Sequence, residues 1–145
     1  MKPFVYMPAS PEDADLIFAQ CKDLVLCFED PNAVDMTRVL LWLERKIHSN
    51  IDRYTCVFRG NEKVAFFSLA EDENGVELDD LYVLEPYRNQ GIGSRILNHC
   101  IETTDRPIYL YVFTANDGAM RLYARHGFVT TQQVSPTRCI MTRYP

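Results

Sequence analysis

No apolar stretch in this sequence approaches the ~20 residues that a membrane-spanning helix needs. The start, Met1-Lys2-Pro3-Phe4-Val5-Tyr6-Met7-Pro8, has no signal-peptide core, so a cytoplasmic location is expected. Glycine (6) and proline (8) are scarce, which excludes collagen-like and low-complexity architecture. Cys21, Cys27, Cys56, Cys100 and Cys139 are odd in number, scattered and without a CxxC pair, and His48, His99 and His126 lie far apart. Such spacing supplies neither a zinc ligand set nor a disulfide framework; reduced, buried thiols and no metal are expected.

What is present is enough for one core. A chain of 145 residues, 47% hydrophobic, suits a single domain over residues 1–145 and excludes intrinsic disorder. Its formal net charge of −5 argues against nucleic-acid and anionic-membrane partners. Charge is uneven. Residues 1–85 carry 8 basic against 17 acidic side chains, whereas residues 86–145 carry 7 arginines, no lysine and 3 acids. This pattern suits an anionic ligand on the C-terminal half and a cationic one near the N-terminal half; solvated faces would produce it as well.

Strand and helix periodicities alternate along the chain. Phe4–Met7 reads as a strand, and Ser10-Pro11-Glu12-Asp13 as a helix start with Ser as N-cap and Pro at the first position. Ala14, Ile17, Cys21, Leu24, Val25 and Phe28 then share one helical face, and Met36, Val39, Leu40, Leu43 and Ile47 share another, with Trp42 off its centre. Strand patterns follow at 54–58, 64–69 and 76–84. A helix comes next, with Ile92, Ile96, Leu97, Cys100 and Ile101 inward. The continuous apolar run from Pro107 to Phe113 reads as a central strand. Asn116 caps a short helix closed by Gly127, and strands at 128–134 and 137–144 end the chain. The order βααβββαβαββ predicts an α/β (α+β) fold: a mixed, mostly antiparallel sheet of about seven strands with helices on both faces.

The fourth strand breaks its own alternation. Val76 and Leu78 lie on one parity, Leu81 and Val83 on the other. A regular strand would turn one pair to the wrong face, so an extra residue near Asp79-Asp80, a β-bulge, is predicted. If the fifth strand splays from the fourth there, unpaired main-chain groups become available to an extended, amide-bearing ligand. Directly after stands Arg88-Asn89-Gln90-Gly91-Ile92-Gly93-Ser94, opening a helix. Its glycines allow successive N–H groups to approach an anion, with the helix N-terminus adding partial positive charge. A phosphate or pyrophosphate is the natural guest. The Walker lysine is absent and Ile96 replaces the third glycine of GxGxxG, so nucleotide hydrolysis and dinucleotide binding fit poorly.

These residues together resemble the GNAT superfamily of acyl-CoA-dependent N-acyltransferases. Its Gln/Arg-x-x-Gly-x-Gly/Ala signature is matched by Arg88, Gly91 and Gly93, and the preceding pattern by Leu81, Val83, Pro86 and Arg88. The second signature is matched by Asn116, Ala119, Leu122, Tyr123, Gly127 and Phe128. The resemblance implies a GNAT-like fold over essentially the whole chain and acetyl-CoA as acyl donor. It implies that the Arg88–Ser94 loop holds the CoA pyrophosphate and that Leu81 and Val83 pair with pantetheine. A backbone N–H near Leu81 would then polarise the acyl carbonyl. Arg88, Arg95, Arg121 and Arg125 are candidates near the cofactor charges, with solvated faces an equal reading for the last three. Asn116 is read as N-cap, pantetheine partner, or both.

Attack by an amine on a thioester requires the ammonium, pKa ~10.4, to lose a proton. Glu77, eleven residues before Arg88, resembles the catalytic glutamate of some family members; Asp79 and Asp80 can play the same part or bind the ammonium. A solvated strand-end acid remains the alternative for each. Tyr123 occupies the family position of the thiolate's partner and also has core spacing. His126 reads as a helix-end residue, suited to the dipole when charged. The acids Glu29, Asp30, Asp35, Glu71, Glu73, Glu77, Asp79 and Asp80 favour a cationic amine acceptor, small molecule or peptide. Trp42, Phe66 and Phe67 are candidates for an apolar wall, with core packing the stronger reading for the phenylalanines. The expected activity is N-acetyl transfer from acetyl-CoA to a primary amine by direct attack. A non-catalytic acyl-CoA-binding or sensing module is the alternative, and an interaction domain that binds no CoA a third. The resemblance leaves room for a homodimer through the final strands.

Overall fold

The computed structural model describes residues 3–145. Strand β1 (Phe4–Pro8) is followed by a single 3-10 turn at Pro11–Asp13 and helix α1 (Ala14–Phe28). At that turn the Ser10 N–H and hydroxyl both donate to the Asp13 carboxylate, at 2.8 and 3.2 Å, the acidic half of a capping box. Helix α2 (Met36–Ser49) is capped by Asp35, whose carboxylate accepts from the Arg38 N–H at 3.3 Å. Then come β2 (Tyr54–Arg59), β3 (Glu62–Asp72), β4 (Gly75–Val83), α3 (Ile92–Glu102) and β5 (Ile108–Phe113). Helix α4 (Asp117–Arg125), β6 (Val129–Gln133) and β7 (Arg138–Arg143) complete the order βααβββαβαββ. That order agrees with the sequence expectation. Two further 3-10 turns, Ile51–Arg53 and Glu85–Tyr87, are too short to leave a periodic signal.

The seven strands form one sheet in the order β1-β2-β3-β4-β5-β7-β6. All neighbours are antiparallel except β4 and β5, whose parallel pairing requires the α3 crossover between them. One face of the sheet packs on α3 and α4 through Val57, Phe67, Leu78, Ile96, Leu97 and Leu110. The opposite face packs Tyr54, Cys56 and Phe66 on Ile17, Cys21, Leu43 and Ile47 of α1 and α2. Each helix thus buries the stripe its sequence marks out, and removal of these apolar faces from water is the main stabilising contribution.

Alternation along β4 sorts the site residues. Val76 and Leu78 enter the α3 core, so Glu77 and Asp79 face the α1/α2 side. Four of the five cysteines are buried free thiols, and Cys27 is exposed, unlike the expectation for the set. It lies near the end of α1, just beyond the stripe that the sheet covers. Burial pushes the Cys56 thiol up to about 11 and the Cys100 thiol up to about 12. Phe66 and Phe67 are both core residues, on opposite faces of β3. Trp42 is 62% exposed, which leaves it available to the cleft described below.

Candidate active site

The β3–β4 register slips where the alternation breaks. Ser68 stands opposite Asp79 and Phe66 opposite Tyr82, so β4 holds one residue more than β3 over that step. Asp80 takes a left-handed conformation there, φ +50°, as a bulge residue does. On its other side β4 pairs with β5 only at Val76–Ile108 and Glu77–Tyr109. Beyond Glu77 the two strands separate, and a cleft of about 1190 Å³ opens between them, running from α1 and α2 to the α3 and α4 N-termini. The predicted bulge and splay are both present.

Side chains from three elements hold the bulge in place. The Tyr54 hydroxyl donates to the Asp80 carboxylate at 2.5 Å. The Lys46 ammonium, from α2, donates to Asp80 at 3.2 Å and also to Asp79. It stands 5.6 Å from the centre of the Trp42 ring. Burial alone would push the Lys46 pKa down, but Asp80 and Asp79 outweigh it and hold it above the usual lysine value. Burial and the neighbouring Asp80 raise the Asp79 carboxyl, with Lys46 opposing. Asp79 and Asp80, expected as contacts for an acceptor ammonium, therefore already have a cation.

Glu77 lies half-buried in the cleft wall, and burial followed by the Asp79 charge raises its pKa. Across the cleft, Tyr123 projects from α4 and is 8% exposed. Burial, then the charges of Asp79 and Asp80, raise its phenol well above the ordinary value, so it carries its proton at neutral pH. Both residues line the same cleft, with Leu81 and Val83 on the free edge of β4 between bulge and loop.

The loop after β4 is braced by its own polar side chains. The Arg88 Nε donates to the Val83 carbonyl at 3.0 Å and its Nη2 to the Tyr82 hydroxyl at 2.6 Å. The Val83 carbonyl is thus engaged by the chain itself. The Gln90 side-chain oxygen accepts from Arg59 on β2 at 2.9 Å. Asn89 (φ +63°) and Gly91 (φ +74°) are left-handed, and Gly91 is the N-cap of α3. A Cβ on Gly91 would meet nothing within 4 Å, so the space in front of the helix is open. Gly93 has a different reason to be small: a Cβ there would lie 3.2 Å from Leu122 Cδ2, where α3 meets α4. Ile92 anchors this turn in the core, and the first-turn N–H groups of Ile92, Gly93 and Ser94 have no partner within the helix. The Ser94 hydroxyl lies 3.2 Å from His126 Nε2. His126 is the C-cap of α4, the helix-end position expected, and burial, then Arg125 and Arg143, lower its pKa, which works against the charged form there.

The remaining candidates separate into two groups. Asn116 caps α4 by accepting from the Ala119 N–H at 3.2 Å and also lines the cleft. Glu29 lines it at the α1 end and accepts from the hydroxyl of Thr137, just before β7, at 2.6 Å. Asp30 and Asp35 are occupied by nearby backbone N–H groups of Asn32 and Arg38. Asp72 accepts from Tyr109, and Glu71 and Glu73 are exposed beside it. Arg95 stacks on Phe4 at 3.5 Å. Three cleft residues escaped sequence reasoning: Lys46, Tyr54 and Arg138. Lys46 stands beside Ile47 at the edge of the α2 stripe, and that position was its one sequence signal.

Known proteins share this architecture. The model of the Acetyltransferase (GNAT) family matches residues 18–128. The PaiA N-acetyltransferase of Thermoplasma acidophilum, solved in complex with coenzyme A, superposes with a TM-score of 0.76 at 19% identity over 99% of both chains. An acetyltransferase of Thermus thermophilus gives 0.74 at 20% identity, again over 99% of both. The N-acetylglutamate synthase of Neisseria gonorrhoeae, complexed with coenzyme A and L-arginine, gives 0.69 at 14% identity. That match spans 99% of this chain and 34% of the synthase.

Proposed function

This chain belongs to the acetyltransferase (GNAT) family, and from that premise we propose that it transfers an acetyl group from acetyl-CoA to a primary amine. The observation that carries the reading is the separation of β4 from β5 beyond Glu77, beside the bulge at Asp80. A strand edge without a neighbour offers main-chain donors and acceptors to an extended amide chain such as pantetheine. The open space before Gly91 and the unpartnered N–H groups of Ile92, Gly93 and Ser94 suit a diphosphate. Coenzyme A is also the ligand of structurally similar proteins.

When bound, acetyl-CoA supplies an activated acetyl thioester. The Arg88–Ser94 loop would hold its diphosphate through backbone N–H groups beyond Arg88, whose own N–H donates to Glu85, and Leu81 and Val83 would align its amide arm. The Leu81 N–H donates to the acetyl oxygen as charge grows there. Glu77, made more basic by burial and by Asp79, takes the proton from the acceptor ammonium. Attack of the freed amine on the thioester carbon would form the new N–C bond as the C–S bond breaks. Tyr123, which retains its proton, would donate it to the departing sulfur and regain one from the proton that the new amide nitrogen sheds. Asn116 supports the amide arm from the α4 side.

The experiment is a thermal-shift titration with acetyl-CoA followed by thiol release over a panel of amines. A stabilisation that saturates with acetyl-CoA, together with amine-dependent thiol release, supports the reading. Stabilisation without release from any amine would instead favour a binding module.

A further inference from the structure

The cleft's charges are distributed in a way that bears on the acceptor. Its interior acids, Asp79 and Asp80, are paired with Lys46. At the other end of the acceptor side, Arg138 of β7 stands directly opposite Phe113 of β5. Leu110, Val112, Cys139 and Met141 point into the α3/α4 core, so alternation turns Tyr111, Phe113 and Arg138 to the α1/α2 face. Stacking of Phe28 from α1 on Phe113, at 5.9 Å, agrees with that placement. The Arg138 guanidinium lies 5.1 Å from the Tyr111 ring centre and 5.9 Å from that of Phe113.

Among the described residues no carboxylate lies within ion-pair distance of Arg138. The acid at that end of the cleft, Glu29, is engaged by the Thr137 hydroxyl and the Asp30 N–H. A guanidinium resting near two aromatic rings with no carboxylate partner keeps its planar row of donors for an incoming group, and a carboxylate matches that row bidentately. Glu77, at the opposite end, attracts an ammonium.

We propose that the acceptor carries a carboxylate besides its primary amine, and that Arg138 binds that carboxylate. The acceptor class is then an amino acid or a short molecule with an amino-acid-like pair of charges, in place of a polyamine. Geometry sets its size. Glu77 is level with Tyr109 and Arg138 with Phe113, four residues and so about 13 Å along β5, and β4 and β7 flank β5, about 10 Å apart across it. Two long side chains narrow that span to the scale of one or two residues. The proposal rests on the acetyl-transfer reading and adds the chemistry of the second substrate.

The test uses the full chain, acetyl-CoA and matched amines read by thiol release. One arm contains α-amino acids, β-alanine, γ-aminobutyrate and glycyl dipeptides. A second contains the carboxamide of each, and a third spermidine and putrescine. The carboxylate arm should react with a kcat/KM at least about tenfold above its carboxamides, the scale of one charged hydrogen-bonded contact. Arg138→Met should raise the acceptor KM about tenfold or more, leave the acetyl-CoA KM unchanged and erase the preference over carboxamides; Arg138→Lys should restore part of it. Equal rates for acids and carboxamides, or faster polyamines, overturn the carboxylate proposal and leave acetyl transfer standing. Should no amine release thiol in any arm, both readings fall.

Discussion

Lys46 and Asp79, 33 residues apart, meet as a bonded ion pair between α2 and β4, at the base of the strand whose edge lines the cleft. The same ammonium reaches Asp80 at 3.2 Å, and Asp80 is the left-handed residue of the bulge. One cation thus joins the helix layer to the irregular point of the sheet.

Removing that cation leaves two part-buried carboxylates without a counter-charge, Asp80 keeping only the Tyr54 hydroxyl. Lys46→Met should lower the unfolding free energy by roughly 2 kcal/mol, less than for a fully buried pair because water reaches these groups. Urea denaturation at neutral pH measures this. The Lys46 pKa is raised in the folded chain, so its contribution is complete below the unfolded value of 10.5 and fades as pH rises above it. Wild-type protein should therefore lose stability in that alkaline range through this group, and Lys46→Met should lack that component. Equal alkaline slopes in the two proteins would contradict the pairing.

Glu77 is the proposed base, and its pKa lies above the ordinary carboxylate value. The acid limb of kcat/KM against pH should accordingly fall above pH 4.5, where an unperturbed glutamate would place it. Glu77→Gln should lower turnover ~10²-fold and remove that limb, with the remaining activity rising towards the pKa of the free amine. A profile identical to wild type would transfer the role to water or to another acid.

Tyr123→Phe keeps the ring that packs at 5.7 Å on Phe128 and deletes only the hydroxyl. Turnover should fall ~10²-fold while the acetyl-CoA KM and the melting temperature stay near wild type. Turnover equal to wild type would return Tyr123 to a packing role alone.

Gly91 and Gly93 should respond differently to substitution. Gly91→Val forces a β-branched residue to φ +74°, into space that no protein atom occupies. Backbone strain of roughly 1–2 kcal/mol leaves the chain folded, while the acetyl-CoA thermal shift disappears. Gly93→Ala should instead lower stability modestly by pressing on Leu122, with acetyl-CoA still bound. Wild-type acetyl-CoA affinity in Gly91→Val would displace the diphosphate site from this loop.

Local spacing by itself determined the order of elements, the cap at Asn116, and the break in β4 alternation. Each depends on residues a few positions apart, where side-chain periodicity and backbone conformation act directly. The glycine-bearing turn was legible for the same reason. Only the tertiary structure decided which acids are free. Lys46 meets Asp79 and Asp80 because α2 packs on the sheet with one particular rotation, and no local spacing encodes that rotation. Arg138 lies over Tyr111 and Phe113 because β7 inserts beside β5, a pairing set by sheet order. His126 is held below the ordinary histidine value because the fold part-buries it beside Arg125 and Arg143. Charge on a sequence is a list of signs; whether a sign remains available to a ligand depends on which partner the packing brings within a few ångströms.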